Sequence, residues 1–326
     1  VAPRVLLLAT NDTLAQTRRG DTPVIATGAE LLAGLPAQHL HADMTVEDVL
    51  TGPSWDISPT TMLALARRAR SAVTDDGFDG VVVAHGADTV EETAFLADLL
   101  AGPAAHRGGI VFTSAVRRLD ELSADGPRNL ACAIAAAADP RLRGAGVVLC
   151  ANDELHAARW VTMVDATGVA AFSSAPFPPV GRVVGGRVEP WGAAPPRPPA
   201  AGGEPEADVA LVKTYPGIEG ALLHALADAG ARGVVLEGTG AANVPVSLFT
   251  AIGELTEWGI PVVVASRCRT RDVPLADLRC GVDALAASIG AISARGLPAA
   301  KARVALMVAL GAGDVAGVRA WFDDRW

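Results

Sequence analysis

The strongest constraint on the fold comes from four short runs: VLLLAT (5–10), GVVVAH (80–85), GIVFTS (109–114) and GVVLCA (146–151). Each is apolar almost throughout. A strand with one wet face alternates polar and apolar residues, so a run without alternation has to be buried on both faces. That requirement selects parallel strands inside a sheet, with helices covering both sides. Helix-length stretches lie between the runs, namely GAELLAGLP (28–36), SPTTMLALARRARSAV (58–73), TVEETAFLADLLAG (89–102) and GPRNLACAIAAAA (126–138). Ser58 followed by Pro59 is a helix start, with an N-capping hydroxyl and then a proline whose missing N–H costs nothing. The alternation predicts a doubly wound α/β sheet.

A proline-rich stretch, EPWGAAPPRPPAAGGEPEA (189–207), interrupts the pattern and reads as an extended linker. The alternation resumes with ADVALVKT, GIEGALLHALADAG, GVVLEGTG, VPVSLFTAIGELTEWG, PVVVASR and LPAAKARVALMVAL. The expected organisation is therefore two α/β domains, a larger one over 1–188 and a smaller one over 208–326. Ligands of such sheets bind beyond the carboxyl ends of the strands. In this chain those places are TNDT, HGADT, the segment after TSAV, ANDE and EGTGAAN.

The 326 residues carry a formal charge of −9, which excludes general binding to nucleic acid or anionic membrane. No apolar run approaches the ~20 residues of a membrane span. The opening VAPRVLLLAT reads as a first strand rather than a leader, which places the protein in the cytoplasm. Cys132, Cys150, Cys268 and Cys280 lack metal-ligand spacing and are expected to be four buried thiols. His39 and His41 are expected on the surface, and nothing calls for a metal or organic cofactor. Of 27 basic residues only Lys213 and Lys301 are lysine, a bias of the GC-rich genomes of actinobacteria. Lysine is thus absent from the first 212 residues.

Two strand ends carry chemistry. In LLLATNDTLA a buried strand stops at Thr10 and a tight turn presents Thr13, whose hydroxyl can act as a nucleophile if a base activates it. In VVVAHGADTVEET a second strand ends in a turn that places the Asp88 carboxylate near a helix start. Either stretch alone also suits a helix-capping turn. Together, and in this order, they resemble the bacterial L-asparaginase/glutaminase family of the threonine-nucleophile type. The family's first signature, TGGT and an apolar residue, is matched by Thr10-Asn11-Asp12-Thr13-Leu14. Its second, HGTDTxEET, is matched from His85 to Thr93 at every position but one. SADGPRNL (123–130) and KARVALMVAL (301–310) extend the resemblance to essentially the whole chain.

The resemblance implies an enzyme that attacks the side-chain amide of asparagine or glutamine through an acyl-enzyme and releases ammonia. Thr13 would be the acyl acceptor, with Asp88 and Ser54 holding the substrate's amino and carboxylate groups. Asn243 would reach a neighbouring subunit's site in a homodimer or homotetramer. The departures are as informative as the matches. Ala87 replaces the family's second threonine, Met163 its lysine and Trp55 a glutamine; the only tyrosine, Tyr215, has no place on the family's mobile loop. Each general acid–base partner contributes ~10²–10⁴ in rate, so the usual proton relay is disarmed.

Asp12 stands where the family has glycine. Turned inward, it and the lost lysine change the local formal charge by about −2, favouring a neutral or cationic substrate; turned outward, it is a solvated turn residue. Trp55 offers either a flat wall for a larger ligand or packing at the rim. Retention of Thr13 and Asp88 amid so much change points to a diverged enzyme. Its substrate would be a larger, less anionic small molecule, such as a secondary-metabolite intermediate. The reaction would be amide or acyl hydrolysis, or acid–base chemistry, with Asp12 as an added acid or base. A non-catalytic binding or scaffolding protein and a weak asparaginase or glutaminase are the alternatives.

Overall fold

A computed structural model of the chain describes residues 2–40, 42–49, 52–197, 203–269 and 288–324. It divides into two compact units, Val1–Pro195 and Pro196–Trp326. The division falls within the proline-rich stretch, but Glu189 and Pro190 are not linker: they end a strand paired with Arg182 and Gly181. His41 and Cys280 lie outside the described residues.

The first unit opens with β1 (Arg4–Thr10), a hairpin of β2 (Gln16–Arg19) and β3 (Thr22–Ile25), helix α1 (Gly28–Ala33) and β4 (Asp43–Val49). Then come α2 (Pro59–Thr74), β5 (Gly80–Ala84), α3 (Val90–Ala101), α4 (Ala104–Arg107), β6 (Gly109–Thr113), α5 (Gly126–Ala138) and β7 (Val147–Ala151). The Ser58 side chain does accept the Thr61 N–H at the start of α2. The strands β7, β6, β5, β1 and β4 lie side by side and parallel. An antiparallel extension follows β7: β8 (Glu154–Ala157), then, past the short pair β9 (Thr162–Met163) and β10 (Phe172–Ser173), β11 (Gly181–Val184) and β12 (Arg187–Pro190). The sheet is therefore mixed rather than purely doubly wound. The β7–β8 turn is Asn152-Asp153, both with positive φ (50° and 67°). That is the geometry a two-residue hairpin demands, and Asn and Asp tolerate it best.

The unbroken apolar runs are buried on both faces, as their composition requires. Val5, Leu7, Val82, Val111 and Val148 join the α5 residues in one core. Leu6, Leu8, Val81, Val83 and Phe112 are fully buried too, and by strand alternation they point to the opposite face. There α2 packs on β5, and α3 on β6 and β7. Cys132 and Cys150 belong to the α5-side core. Burial pushes the Cys132 thiol up to about 12 and raises Cys150 well above the ordinary thiol range, so both are inert. Cys268 is exposed, which corrects the expectation of four buried thiols.

The second unit has β13 (Val209–Lys213), α6 (Ala221–Asp228), β14 (Gly233–Gly238), α7 (Phe249–Glu257), β15 (Val262–Ser266) and β16 (Ile292–Ser293). The four strands are parallel and in chain order. The helix Ala299–Ala312 lies across β13, β14 and β15.

In the first unit, α5 comes down on a pair of glycines in register, Gly80 and Gly109. A Cβ at Gly80 would sit 2.2 Å from the Ala137 carbonyl oxygen, a backbone atom that cannot step aside. Gly80→Ala should therefore lower the urea midpoint by the equivalent of about 1–3 kcal/mol. Gly253→Ala, in the interior of α7 with nothing within 4 Å of the added methyl, should raise it slightly through helix propensity.

Candidate active site

The chain leaves β1 towards β4 on one side and leaves β5 towards β6 on the other. The carboxyl ends of β1 and β5 therefore diverge, and the crevice between them is the topological switch point where ligands of open α/β sheets bind. TNDT follows β1 and HGADT follows β5, so both signature stretches meet there. Cross-strand bonds pin the two ends. The Thr10 hydroxyl donates to the Ala84 carbonyl at 2.7 Å. The His85 N–H donates to the Thr113 carbonyl at 2.8 Å.

Asp12 turns inward. It is only 5% exposed, so of the two directions left open by the sequence, inward and solvated, the structure has the first. Its extended backbone (φ −112°) precedes the short helical turn Thr13–Ala15. Oδ1 accepts the Thr13 N–H at 2.6 Å and the Thr13 hydroxyl at 3.1 Å. Oδ2 accepts the Ser54 N–H at 2.5 Å. Burial pushes the Asp12 carboxyl up, but hydrogen bonds from Ser54 and Thr13 outweigh it, so the group stays below its ordinary value. It is a fixed anion at neutral pH.

Ser54 opens the turn Ser54–Asp56 and is buried. Its hydroxyl donates to Oδ2 of the exposed Asp88 at 3.4 Å and also lies on the side of the Asp12 carboxylate, which it helps to keep ionised. One hydroxyl hydrogen serves one of the two carboxylates at a time. The Thr89 hydroxyl donates to the Ser54 carbonyl at 2.7 Å and so ties the Ser54 turn to the HGADT loop. Gly86 could not be another residue. A Cβ there would lie 1.9 Å from Asp12 Oδ2 and 2.2 Å from Ser54 Oγ.

The structure thus brings Asp12, Thr13, Ser54 and Asp88 together, with buried Ala87 alongside in the HGADT loop. Trp55 is 71% exposed and forms no buried wall; it stands at the rim. Met163 lies in β9 opposite Phe172, half-buried, and carries no charge. Asn243 belongs to the second unit, where its N–H and C=O both pair with Thr239 at 2.8 Å. Among the described residues no three His, Cys, Asp or Glu side chains gather as metal ligands, and no helix is long and apolar enough to cross a membrane.

His85 is the residue that sequence reasoning passed over. It is 2% exposed, and Nδ1 shares a 2.9 Å hydrogen bond with the Gly86 carbonyl. A carbonyl only accepts, so Nδ1 carries the proton. Nε2 is buried and has no hydrogen-bond partner among the described residues. Burial lowers the pKa and keeps the ring neutral. The available signal was a histidine at the end of a wholly apolar strand, where desolvation is unavoidable.

Comparison with known proteins shows the family and the fold. Residues 4–194 match the family model "Asparaginase, N-terminal", and residues 208–322 match "Glutaminase/Asparaginase C-terminal domain". The glutaminase-asparaginase of Pseudomonas fluorescens biotype A is 30% identical over 321 residues, covering 94% of this chain and 86% of that protein. A probable L-asparaginase of Deinococcus radiodurans is 32% identical over 319 residues, covering 95% and 94%. The crystal structure of a probable cytoplasmic L-asparaginase from Campylobacter jejuni superimposes with a TM-score of 0.88 at 28% identity, covering 99% of this chain and 100% of that one.

The buried neutral imidazole has a consequence for stability. Its folded-state pKa lies below the ordinary 6.5, so just below that pH the unfolded chain takes up a proton that the folded chain refuses. His85 should therefore cost stability progressively as the pH falls through about 6.5. His85→Gln should flatten the decline in urea midpoint between about pH 7.5 and 5. An unchanged slope would mean that the folded ring protonates freely.

Proposed function

The chain belongs to the asparaginase/glutaminase family of amide hydrolases, and from that premise we propose that it is a diverged member acting on a larger, less anionic molecule than asparagine. The carrying observation is the 3.1 Å hydrogen bond from the Thr13 hydroxyl to Asp12 Oδ1. In this reading Thr13 Oγ1 attacks the acyl carbon while its proton passes to the Asp12 carboxylate. The proton then goes to the leaving amine or alkoxide as its bond to the acyl carbon breaks. Water releases the acyl group and restores the threonine. Asp88, with Ser54 between it and Asp12, orients a neutral or cationic head group. A carboxylate held as strongly as Asp12 is a weak base, which suits an activated acyl bond better than a plain primary amide.

Ala87 and Met163 stand where the family keeps proton-handling groups, and neither transfers a proton. That supports reduced turnover of asparagine and glutamine. The proposal extends to acid–base chemistry on the same groups without a covalent intermediate, and to a secondary-metabolite intermediate as the substrate. It also extends to a cytoplasmic homodimer or homotetramer. In that assembly the first unit carries the nucleophile, and the second, beyond the proline-rich stretch, brings Asn243 to a neighbour's site.

A neutral activated ester tests the reading. p-Nitrophenyl acetate should acetylate the peptide containing Thr13, as read by mass spectrometry. Thr13→Ala should abolish that adduct and lower p-nitrophenolate release by ~10²-fold or more. Ammonia release from asparagine and glutamine should fall far below that of a similar protein such as the L-asparaginase 2 of Escherichia coli (30% identical over 324 residues) assayed alongside. Comparable turnover would return the chain to ordinary asparaginase chemistry. No adduct and no effect of Thr13→Ala would favour a binding protein.

A further inference from the structure

We propose that Asp12 is a built-in ligand: its carboxylate fills an anion cradle formed by donors of the crevice, and so excludes substrates that present a carboxylate there. The inference deepens the proposed function, because it names what the same crevice refuses and therefore what it accepts.

The donors come from separate segments. The Thr13 N–H and hydroxyl reach Oδ1 at 2.6 and 3.1 Å, and the Ser54 N–H, 42 positions along the chain, reaches Oδ2 at 2.5 Å. A capping aspartate needs a single backbone donor. Here both carboxylate oxygens are gripped, as a bound anion would be.

These donors are held by bonds that do not involve the carboxylate. The Asp12 carbonyl accepts the Ala15 and Gln16 N–H groups at 2.7 and 3.1 Å, which sets the Thr13 turn. The Ser54 carbonyl accepts the Thr89 hydroxyl at 2.7 Å and the Ile57 N–H at 3.3 Å, which sets the Ser54 turn. The cradle is therefore preorganised. Gly86 completes it from the third side, where any side chain would meet the Asp12 oxygen.

A charged acceptor that satisfies all these donors leaves nothing for a second anion, and Asp88 beside Ser54 repels one. The reacting end of the substrate is accordingly a neutral or cationic acyl compound and not an α-amino acid bearing a free carboxylate in this position.

Acetate is the side chain that Asp12→Gly removes, with one hydrogen added, which makes it the fitting probe. Binding of acetate is read by saturation-transfer NMR titration on the wild type and on Asp12→Gly, Asp12→Ala and Asp12→Asn. The glycine and alanine variants should bind acetate at least tenfold more tightly than the wild type. Asp12→Asn, whose amide still fills the cradle, should match the wild type, and methylammonium should gain nothing. Wild-type binding equal to that of Asp12→Gly overturns the proposal, as do folded glycine and alanine variants that ignore acetate. If both variants fail to fold, recovery of the fold with acetate supports it and failure to recover overturns it. The readout needs no turnover, so it separates from the test of Thr13. Acetate rescue without an acyl-Thr13 adduct sinks only the catalytic reading; an adduct without rescue sinks only this one.

Discussion

Three loops that leave the central sheet at different strands are joined by one carboxylate. Asp12, in the loop after β1, accepts from its own neighbour Thr13 and from Ser54, which lies beyond β4; Gly86, after β5, makes room for it. The crevice itself follows from topology, because β1 and β5 send their chains in opposite directions. Such a crevice has open backbone donors at its lip, and each one left buried without a partner costs about 1–3 kcal/mol. In this protein the chain satisfies them itself. That carboxylate ties the Thr13 turn to the Ser54 turn and sits against Gly86 of the HGADT loop, while each turn is set by its own backbone bonds.

Electrostatics follows from the same choice. Burial alone raises a carboxyl's proton affinity, yet Asp12 is held the other way by its hydrogen bonds, so it remains an anion. Asp88 stands nearby with only the Ser54 hydroxyl between them, and that hydroxyl has a single hydrogen to give. The chain has no lysine before residue 213 to compensate. A site with two carboxylates and no ammonium attracts positive or neutral groups, the opposite of what a free amino acid's carboxylate requires.

Legibility in the sequence was uneven for physical reasons. The buried parallel strands were plain because burial on both faces forces continuous apolar runs, and β5, β6 and β7 fall within a residue of the runs quoted for them. β4 escaped because DMTVEDV carries three acids, which an edge strand tolerates on its open side and a central one does not. β8, β11 and β12 escaped because four-residue antiparallel strands carry too little pattern. The signature stretches pointed to the crevice between β1 and β5, since both follow strand ends that the sequence makes plain. The direction of Asp12 was not legible: it depends on Ser54, 42 residues away, offering a backbone donor. Trp55 was misleading for a related reason. Its neighbour Ser54 is buried in a short helical turn, and so tight a turn sends the next side chain outward to 71% exposure.

The departures from the family pattern are coupled rather than independent. Asp12 fits because residue 86 is glycine; the match there is what permits the mismatch at 12. Once the carboxylate is seated, the Thr13 hydroxyl donates to Oδ1, and its one hydrogen is committed there. Residues that share a hydrogen-bond network do not contribute additively. Keeping Thr13 and Asp88 while departing from the family pattern around them is then no contradiction: under the proposed mechanism the threonine's proton acceptor is Asp12, one residue before it in the chain.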